Sequence, residues 1–278
     1  MNWLIVDQII KDALIEDAIY SDITTSAIVS YDSKCNVDLI SKEDGIIAGL
    51  PVLRRVFNIL GDVEVDFFVA DGDSIKTGQA IGILKGSTYN ILIGERIALN
   101  LLQRMSGIAT ITNRAVELVK HTNAKILDTR KTTPNLRILE KYAVAVGGGH
   151  NHRFSLSDGV LIKDNHIEAA GGIKKAVNKV REKVSFVRKI EVEVESLEQI
   201  EEALNVGVDI IMLDNMDTDT MKKAIELINH RSITEASGNI SLDNIRQIAE
   251  TGVDYISLGM LTHSVKALDI SMKNLVLK

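Results

Sequence analysis

Cysteine is almost absent from this chain, and long uninterrupted apolar segments are missing as well. Its 278 residues contain one cysteine, Cys35, so neither an internal disulfide nor a thiolate metal cluster can form, and we expect a reducing, cytoplasmic location. The first 20 residues mix apolar side chains with Asp7, Lys11 and Asp12, unlike a signal peptide or a membrane span of about 20 apolar residues. They predict an amphipathic helix instead.

Positive charge is in deficit over the chain as a whole. Lysine and arginine number 32 against 38 aspartate and glutamate residues, for a formal net charge of −6. A surface of this sign repels nucleic acid and anionic membranes, so neither is an expected partner. With 45% hydrophobic and 25% charged residues, the composition indicates a folded chain of one large domain or two medium ones.

One segment, residues 128–166, departs from this acidic balance. Cations gathered so closely favour a site for small multivalent anions, because guanidinium and ammonium groups bind carboxylates and phosphates. The glycine run at 147–149 predicts a close approach of the backbone to a ligand, and a solvated basic loop is the alternative. The cationic and histidine side chains that carry this prediction are Arg130, Lys131, Arg137, His150, His152, Arg153, Lys163 and His166.

The sequence texture changes near residue 107. Short β-branched runs with Gly and Asp turns predict a mainly antiparallel sheet over residues 23–86, whereas six strand-like segments alternate with helical ones after residue 124. We therefore expect two domains: an N-terminal, mainly antiparallel α+β sandwich, and a C-terminal open or incomplete TIM-like α/β barrel. The predicted bounds are 1–107 and 108–278, with about the last ten residues packing on the N-terminal domain.

Three alternatives concern parts of this architecture. An open doubly wound sheet would normally have a Gly-rich turn after its first strand, where this chain has Asp128 to Lys131. Residues 69–84 resemble the hairpins of biotinyl and lipoyl carrier domains, although no lysine has the neighbours of the modified carrier lysine. The helical pattern over 89–122 is interrupted at Ser106 and Gly107, which predicts two helices or one bent helix.

The segment IEVEVE places three carboxylates on one face of a predicted strand. Period-two alternation separates Glu191, Glu193 and Glu195 from the apolar residues between them. If the apolar side chains pack against helices, the carboxylates point into the barrel and need cations, a metal or ligand hydroxyls. We expect Glu191 to join a salt network with Lys163 and Arg130, and Glu193 and Glu195 to contact substrate.

Several separate motifs resemble those of the quinolinate phosphoribosyltransferases, in the family's order and over essentially the whole chain. Asn135 and Ser155 depart from the pattern, in which glycine is usual, but asparagine tolerates a left-handed backbone, so we expect an altered loop with function retained. The matching motifs are Glu16–Thr25, Gly94–Thr110, Thr129–Pro134, Leu139–Val144, Gly147–Arg153, Leu156–Ile167, EVEVES, Ile211–Met216, Glu235–Ile240 and Ile256–Ser264.

The resemblance implies an enzyme that transfers phosphoribose from phosphoribosyl pyrophosphate to the ring nitrogen of quinolinate, with loss of carbon dioxide and pyrophosphate. It implies Mg²⁺ as the donor's counterion, no organic cofactor, and a homodimer, or a higher oligomer, with sites shared between subunits. Three alternatives share parts of the pattern: pyrophosphorylase-like proteins associated with molybdate transport, nicotinate phosphoribosyltransferases, and a non-catalytic phosphosugar sensor. The first of these is the main alternative.

The resemblance also implies roles for individual residues. Catalytic roles fall to Lys131, Lys163, Glu193 and Asp214, the two lysines acting electrostatically. Glu193 and Asp214 also hold the ribose and the magnesium, mostly through water, and a zinc site at His150 and His152 is disfavoured because no third ligand has metal spacing. The acceptor-binding set is Arg96 from a neighbouring subunit, Arg130, Lys131, His152, Arg153 and Lys163. The 5′-phosphate set is Ser237, Gly238, Asn239 and Gly259, through backbone N–H groups.

Overall fold

The computed structural model describes residues 1–18 and 21–278. Ile19 and Tyr20, which belong to the predicted N-terminal helix and to the first of the matching motifs, lie outside the described residues. The chain divides into two compact units. The first unit contains Met1–Asn113, Thr132–Gly148 and Leu261–Lys278, and the second contains Arg114–Lys131 and Gly149–Met260.

The helices and strands of the described residues follow one another in chain order as α1 (Trp3–Asp17), α2 (Ile23–Ile28), β1 (Lys34–Ser41), β2 (Gly45–Ile46), α3 (Leu50–Leu60), β3 (Val63–Phe67), β4 (Ser74–Ile75), β5 (Ala80–Ser87), α4 (Thr88–Val119), β6 (Lys125–Leu127), α5 (Arg137–Val146), β7 (Val160–Ile162), α6 (Asp164–Ala170), α7 (Ile173–Lys183), β8 (Ile190–Val194), α8 (Leu197–Val206), β9 (Ile210–Asp214), α9 (Thr218–Ile228), β10 (Ile233–Ser237), α10 (Ile245–Ala249), β11 (Tyr255–Ser257), α11 (Met260–His263) and β12 (Ile270–Leu277).

The first unit is built on an antiparallel sheet with strand order β12-β1-β5-β3. Its strands alternate buried and more exposed residues, as in β1 and β3, because one face packs on a core and the other meets water. The C-terminal strand β12 belongs to this sheet, with Met272 opposite Leu39 of β1. The mainly antiparallel texture predicted for this part of the chain is confirmed.

The predicted amphipathic N-terminal helix is α1. The side chain of Asn2 accepts a hydrogen bond from the N–H of Leu4 and so caps the helix start. Val6 and Ile10, four residues apart and therefore on one helix face, are its buried residues. The helix buries one face as the alternation of apolar and charged residues predicted.

Helix α4 is continuous across Ser106 and Gly107, so the first of the two predicted alternatives, two separate helices, is wrong. Ser106 donates a hydrogen bond to the carbonyl of Ala48, and a Cβ atom on Gly107 would lie 2.2 Å from the carbonyl oxygen of Lys266. Gly107 therefore allows a close approach of another chain segment without interrupting the helix. Within the described residues no helix, α4 included, is both long and apolar enough to cross a membrane. The predicted domain boundary at residue 107 falls within α4 and remains a prediction.

The second unit contains a six-stranded parallel sheet with strand order β6-β11-β10-β9-β8-β7. All six segments that the sequence marks as parallel strands form it. Its edge strands β6 and β7 do not pair with each other among the described residues, so the barrel is open, as predicted. Parallel strands bring their carboxyl ends to one edge of the sheet, and the polar residues that follow β6, β7, β9 and β10 gather there.

Candidate active site

A cavity of about 550 Å³ lies at the carboxyl ends of the parallel strands. It collects most of the residues that the sequence assigns to binding and catalysis, although they are spread over more than 100 positions of the chain. Its lining consists of Thr129, Arg130, Lys131, His152, Arg153, Leu161, Lys163, Glu193, Met212, Asp214, Asn215, Ser237, Gly238, Asn239 and Ser257.

Lys163 and Glu193 form an ion pair at this cavity. Lys163 follows β7 directly and is the N-cap of α6, and its ammonium group contacts Oε2 of Glu193 near the end of β8. The side chain of Glu193 is 11% exposed, whereas that of Lys163 is 43% exposed. The lysine therefore remains accessible to an anion while it compensates a carboxylate that is largely withdrawn from water.

Two guanidinium groups, those of Arg130 and Arg153, lie near each other at the same cavity. Burial and the positive charge of Arg130 lower the pKa of Arg153. The Arg153 guanidinium donates one hydrogen bond to the carbonyl of Gly159 (3.1 Å). Two like charges held at one concave surface create a positive potential that attracts a dicarboxylate or a phosphate.

The segment that carries these cations is tied to strand β6 by Asp128. This carboxylate is fully buried and accepts hydrogen bonds from the side-chain amide of Asn151 (2.7 Å) and the backbone N–H of His152 (2.8 Å). His150 continues the attachment, because its N–H donates to the carbonyl of Ile126 (2.8 Å). The chain thus passes beside β6 before it reaches Arg153.

The ring of His152 lies between two buried carboxylates, Glu191 of β8 and Glu235 of β10. Nε2 is 3.1 Å from Oε2 of Glu191 and 3.4 Å from Oε2 of Glu235. Burial lowers the pKa of His152, but the hydrogen bonds and charges of the two carboxylates outweigh it and raise the pKa to about 10. Burial also raises the pKa of Glu191. Both shifts have the same sense, since each favours retention of a proton within the cluster at neutral pH.

The other ring nitrogen indicates where that proton lies. The backbone N–H of Arg153 donates to Nδ1 of His152 at 2.7 Å, so Nδ1 carries no proton in this conformation and Nε2 carries the ring proton. The extra proton then belongs to Glu191, whose pKa is raised by burial. Oε1 of Glu191 and Oε1 of Glu235 are both buried without a hydrogen-bond partner among the described protein groups, and the Glu191 oxygen is the available position.

His152, Glu191 and Glu235 are also the group whose potential metal-ligand atoms lie within 4.8 Å of one another among residues 1–18 and 21–278. A metal-bound histidine ordinarily donates its second ring N–H to an acceptor. The second nitrogen of His152 accepts instead, so the ring is oriented for hydrogen bonding. The predicted magnesium ligands, Glu193 and Asp214, fit Mg²⁺ better, because both line the open cavity and Mg²⁺ prefers carboxylate oxygens as ligands.

A network of amides surrounds Asp214 at the end of β9. Asn215 donates from its side chain to Asp214 (2.6 Å) and accepts from the side chain of Asn239 (2.9 Å). Gly238 lies against it with φ +87°, and a Cβ there would be 2.3 Å from Oδ1 of Asn215. Glycine is therefore required at 238 by both the backbone conformation and the contact. The next helix, α10, begins at Ile245.

Some predicted residues do not line this cavity. Gly259 is not among its lining residues, and Glu195 is exposed beyond the end of β8, its N–H bonded to Gln199. Arg96 lies on α4 in the first unit with an exposed side chain. Asn135 has φ +66°, the left-handed conformation predicted for it.

Gly147 ends α5, and a Cβ there would lie 2.5 Å from the carbonyl oxygen of Ala109, so its own close approach is to α4. An approach of the 147–149 run to a ligand stays a prediction. One expectation about this region was wrong. Glu191 pairs with His152 and not with Lys163, whose partner is Glu193.

Sequence reasoning missed Glu235 and Asn215. Glu235 stands in the segment ITEAS, where one acidic residue gives no alternating pattern of the kind seen around Glu191. Its signals are its place at the start of the motif Glu235–Ile240 and its position two residues before Ser237, at the end of a predicted parallel strand. Asn215 directly follows Asp214 at the end of β9, and a polar residue at the start of a loop gives no sequence signal of its own.

Comparison with known proteins places these features in a family. Models described as the N-terminal and C-terminal domains of quinolinate phosphoribosyl transferase match residues 22–106 and 108–273. A Bacillus subtilis protein named probable nicotinate-nucleotide pyrophosphorylase (carboxylating) is 46% identical over 98% of this chain and 94% of its own. Quinolinate phosphoribosyltransferase (decarboxylating) 2b of Nicotiana tabacum is 45% identical over 91% and 77%. The crystal structure of NadC from Streptococcus pyogenes superposes with a TM-score of 0.97 at 46% identity, covering 100% of this chain and 99% of that one.

Proposed function

Because the chain belongs to the quinolinate phosphoribosyltransferase family, we propose that it transfers phosphoribose from phosphoribosyl pyrophosphate to quinolinate. The products are nicotinate mononucleotide, carbon dioxide and pyrophosphate. The observation that carries the proposal is the convergence of two arginines, two lysines and two carboxylates on one cavity at the carboxyl ends of the parallel strands.

The acceptor fits the cationic side of the cavity. Quinolinate is a planar dicarboxylate, and the guanidinium groups of Arg130 and Arg153 bind carboxylates through paired N–H donors. Lys131 and Lys163 add positive charge at the same cavity. Two carboxylates account for this many cations better than the single carboxylate of nicotinate does.

The donor fits the acidic side. Glu193 and Asp214 accept hydrogen bonds from the ribose hydroxyls and stabilise the positive charge that develops at the anomeric carbon. The same two carboxylates would hold Mg²⁺, mostly through water, and the ion would supply positive charge to the pyrophosphate. The backbone of Ser237, Gly238 and Asn239 offers N–H donors for the 5′-phosphate, since this segment lines the cavity.

Transfer and decarboxylation follow from positioning and charge. The ring nitrogen of quinolinate forms the bond to the anomeric carbon as the bond to pyrophosphate breaks. The resulting pyridinium accepts the electron pair of the breaking bond to the 2-carboxylate, carbon dioxide leaves, and the ring carbon takes a proton. The cations of the cavity hold both carboxylates in place and orient the ring nitrogen toward the donor.

The test is an assay of purified protein with phosphoribosyl pyrophosphate, magnesium and either quinolinate or nicotinate, which follows carbon dioxide and mononucleotide together. Arg130→Ala is expected to lower kcat/KM for quinolinate about 10³-fold, because each hydrogen bond to a charged group contributes about 1.5–3 kcal/mol. Arg246→Ala is the matched control, because Arg246 is an exposed arginine paired with Glu250 on α10.

Each outcome separates the candidates. Consumption of quinolinate alone, with one carbon dioxide released per mononucleotide, supports the proposal. Consumption of nicotinate without carbon dioxide contradicts it. If neither acid reacts while the donor still binds, the acceptor differs, as in the pyrophosphorylase-like proteins associated with molybdate transport.

We also propose that the active form is a homodimer in which Arg96 completes the neighbouring subunit's acceptor site. Its exposed side chain on α4 supports this assignment. Arg96→Ala and Arg130→Ala should each be inactive alone. A refolded equal mixture should regain about a quarter of the sites, because in a shared-site dimer one of the two sites in each mixed pair is intact. Absence of complementation in confirmed mixed dimers contradicts the shared site.

A further inference from the structure

The contacts of His152 form a continuous path from two buried carboxylates to an acceptor-binding residue. Glu191 and Glu235 hold Nε2 of the ring, at 3.1 and 3.4 Å. Nδ1 of the same ring accepts the backbone N–H of Arg153 at 2.7 Å. Both ring nitrogens are thus engaged, and the ring has one defined orientation between the carboxylates and the main chain of Arg153.

We propose that Glu191 and Glu235 are positioning residues for the acceptor, which act on the Arg153 guanidinium through the ring of His152. The inference rests on the proposed function, because Arg153 is the group that would bind a carboxylate of quinolinate. The two glutamates are 3% and 2% exposed, and neither lines the cavity that holds Arg153, Lys163 and Glu193. They act without contact to substrate.

The path is specific because consecutive backbone groups are fixed by different side chains. The N–H of His152 donates to Asp128 (2.8 Å), and the next N–H, that of Arg153, donates to the His152 ring. Removing the two carboxylates leaves the first attachment intact and releases the second. The expected consequence is a displaced Arg153 side chain in a chain that still passes beside β6.

Charge and hydrogen bonding at the cluster can be separated by paired substitutions. Glu235→Gln and Glu191→Gln keep an amide oxygen that accepts from Nε2, whereas Glu235→Leu and Glu191→Leu remove the acceptor at similar volume. If positioning is the role, the leucine variants raise KM for quinolinate. The resulting fall in kcat/KM reaches about 10²-fold for a displacement of the arginine near 1 Å. KM for phosphoribosyl pyrophosphate stays unchanged, and the glutamine variants recover most of the loss.

The control is Asp254→Asn, at the residue directly before β11 of the same sheet. Asp254 accepts from the backbone and side chain of Thr234 (2.8 and 2.7 Å) and does not line the active-site cavity. This variant reports what a lost carboxylate in the second unit does to stability alone. Equal KM changes for both substrates, glutamine variants as impaired as the leucine variants, or a quinolinate KM unchanged in folded leucine variants would each overturn the proposal.

A second measurement is independent of turnover. In ¹⁵N-histidine-labelled protein, the ring nitrogens of His152, assigned by comparison with His152→Gln, should show a proton on Nε2 and none on Nδ1. Glu235→Leu should disturb this tautomer, and Asp254→Asn should not. A ring protonated on Nδ1 in the unaltered protein overturns the positioning path even if quinolinate is consumed. If quinolinate is not consumed while the ring state is as stated, the proposed acceptor fails and the path to Arg153 stands.

Discussion

Two strands with nearly the same sequence pattern occupy opposite environments in this molecule. Strand β3 reads VEVDF and strand β8 reads IEVEV. In both, the valines are buried, as alternation requires. In β3 the acidic residues Glu64 and Asp66 are exposed, whereas Glu191 of β8 is 3% exposed. Alternation therefore identifies the two faces of a strand, and the sheet that contains the strand decides whether the polar face meets water.

Each strand also pairs one carboxylate with a lysine, and the two pairs differ in the same way. Lys85 and Asp66 lie 2.8 Å apart, with side chains 40% and 58% exposed. Glu193, the partner of Lys163, is 11% exposed and lines a cavity. An exposed ion pair is screened by water and contributes little, whereas charges at a concave, partly dry surface are available to a ligand.

The largest expected difference between the two pairs is in activity. Lys163→Met should lower kcat/KM for quinolinate about 10²–10³-fold, the range found when one group that stabilises developing charge is removed. It also leaves Glu193 without its cation at the cavity. Initial-rate kinetics with each substrate varied in turn would measure the loss.

Lys85→Met is the matched control, because it removes the same ammonium group from the corresponding exposed pair. We expect unchanged kinetics and no measurable change in the midpoint of chemical unfolding. If the two methionine variants lost activity equally, the contrast between the sheets would have no functional meaning.

The next effect concerns pH and the buried cluster beside β8. His152 and the carboxylates in contact with its ring together retain one proton up to about pH 10, the value to which those carboxylates raise the pKa of His152, while an unfolded histidine titrates near 6.5. Between these values the folded protein binds more protons than the unfolded chain, so the free energy of unfolding should fall as pH rises. The stabilisation is complete below about pH 6.5 and is lost as pH passes about 10, with a slope of at most about 1.4 kcal/mol per pH unit.

Urea unfolding at several pH values between about 7 and 9 measures this slope. The same series on His152→Gln provides the reference, because all other titrating groups are shared. The variant should show the weaker dependence on pH. Parallel curves for the two proteins would mean that the cluster carries no extra proton in the folded state.

Much of this site could be predicted from the sequence, because many of its residues directly follow segments that have a recognisable strand pattern. A strand pattern followed by a polar residue places Lys163, Asp214 and Ser237 at one edge of a parallel sheet without any knowledge of distances. What could not be predicted are contacts made far along the chain. Gly107 signals a helix break by composition, but it adjoins Lys266, and Glu235 reaches His152 from a strand without acidic alternation. Arg96 in a partner's site, the magnesium and the cytoplasmic location remain predictions.

The smallest effect belongs to the exposed strand. Lys85 lowers the pKa of Asp66 through a hydrogen bond and its charge. The stabilisation from this pair is therefore complete above the pKa of an unfolded aspartate and is lost as pH falls through the lowered pKa of Asp66. Asp66→Asn should leave unfolding at neutral pH unchanged in about 0.5 M salt, where the Debye length is only a few ångströms, and alter it slightly at low salt. Glu64→Gln, on the same face of β3, tests whether any exposed carboxylate there behaves alike. A salt-independent loss of stability in Asp66→Asn would show that this pair is more than a solvated contact, and the contrast with β8 would then rest on activity alone.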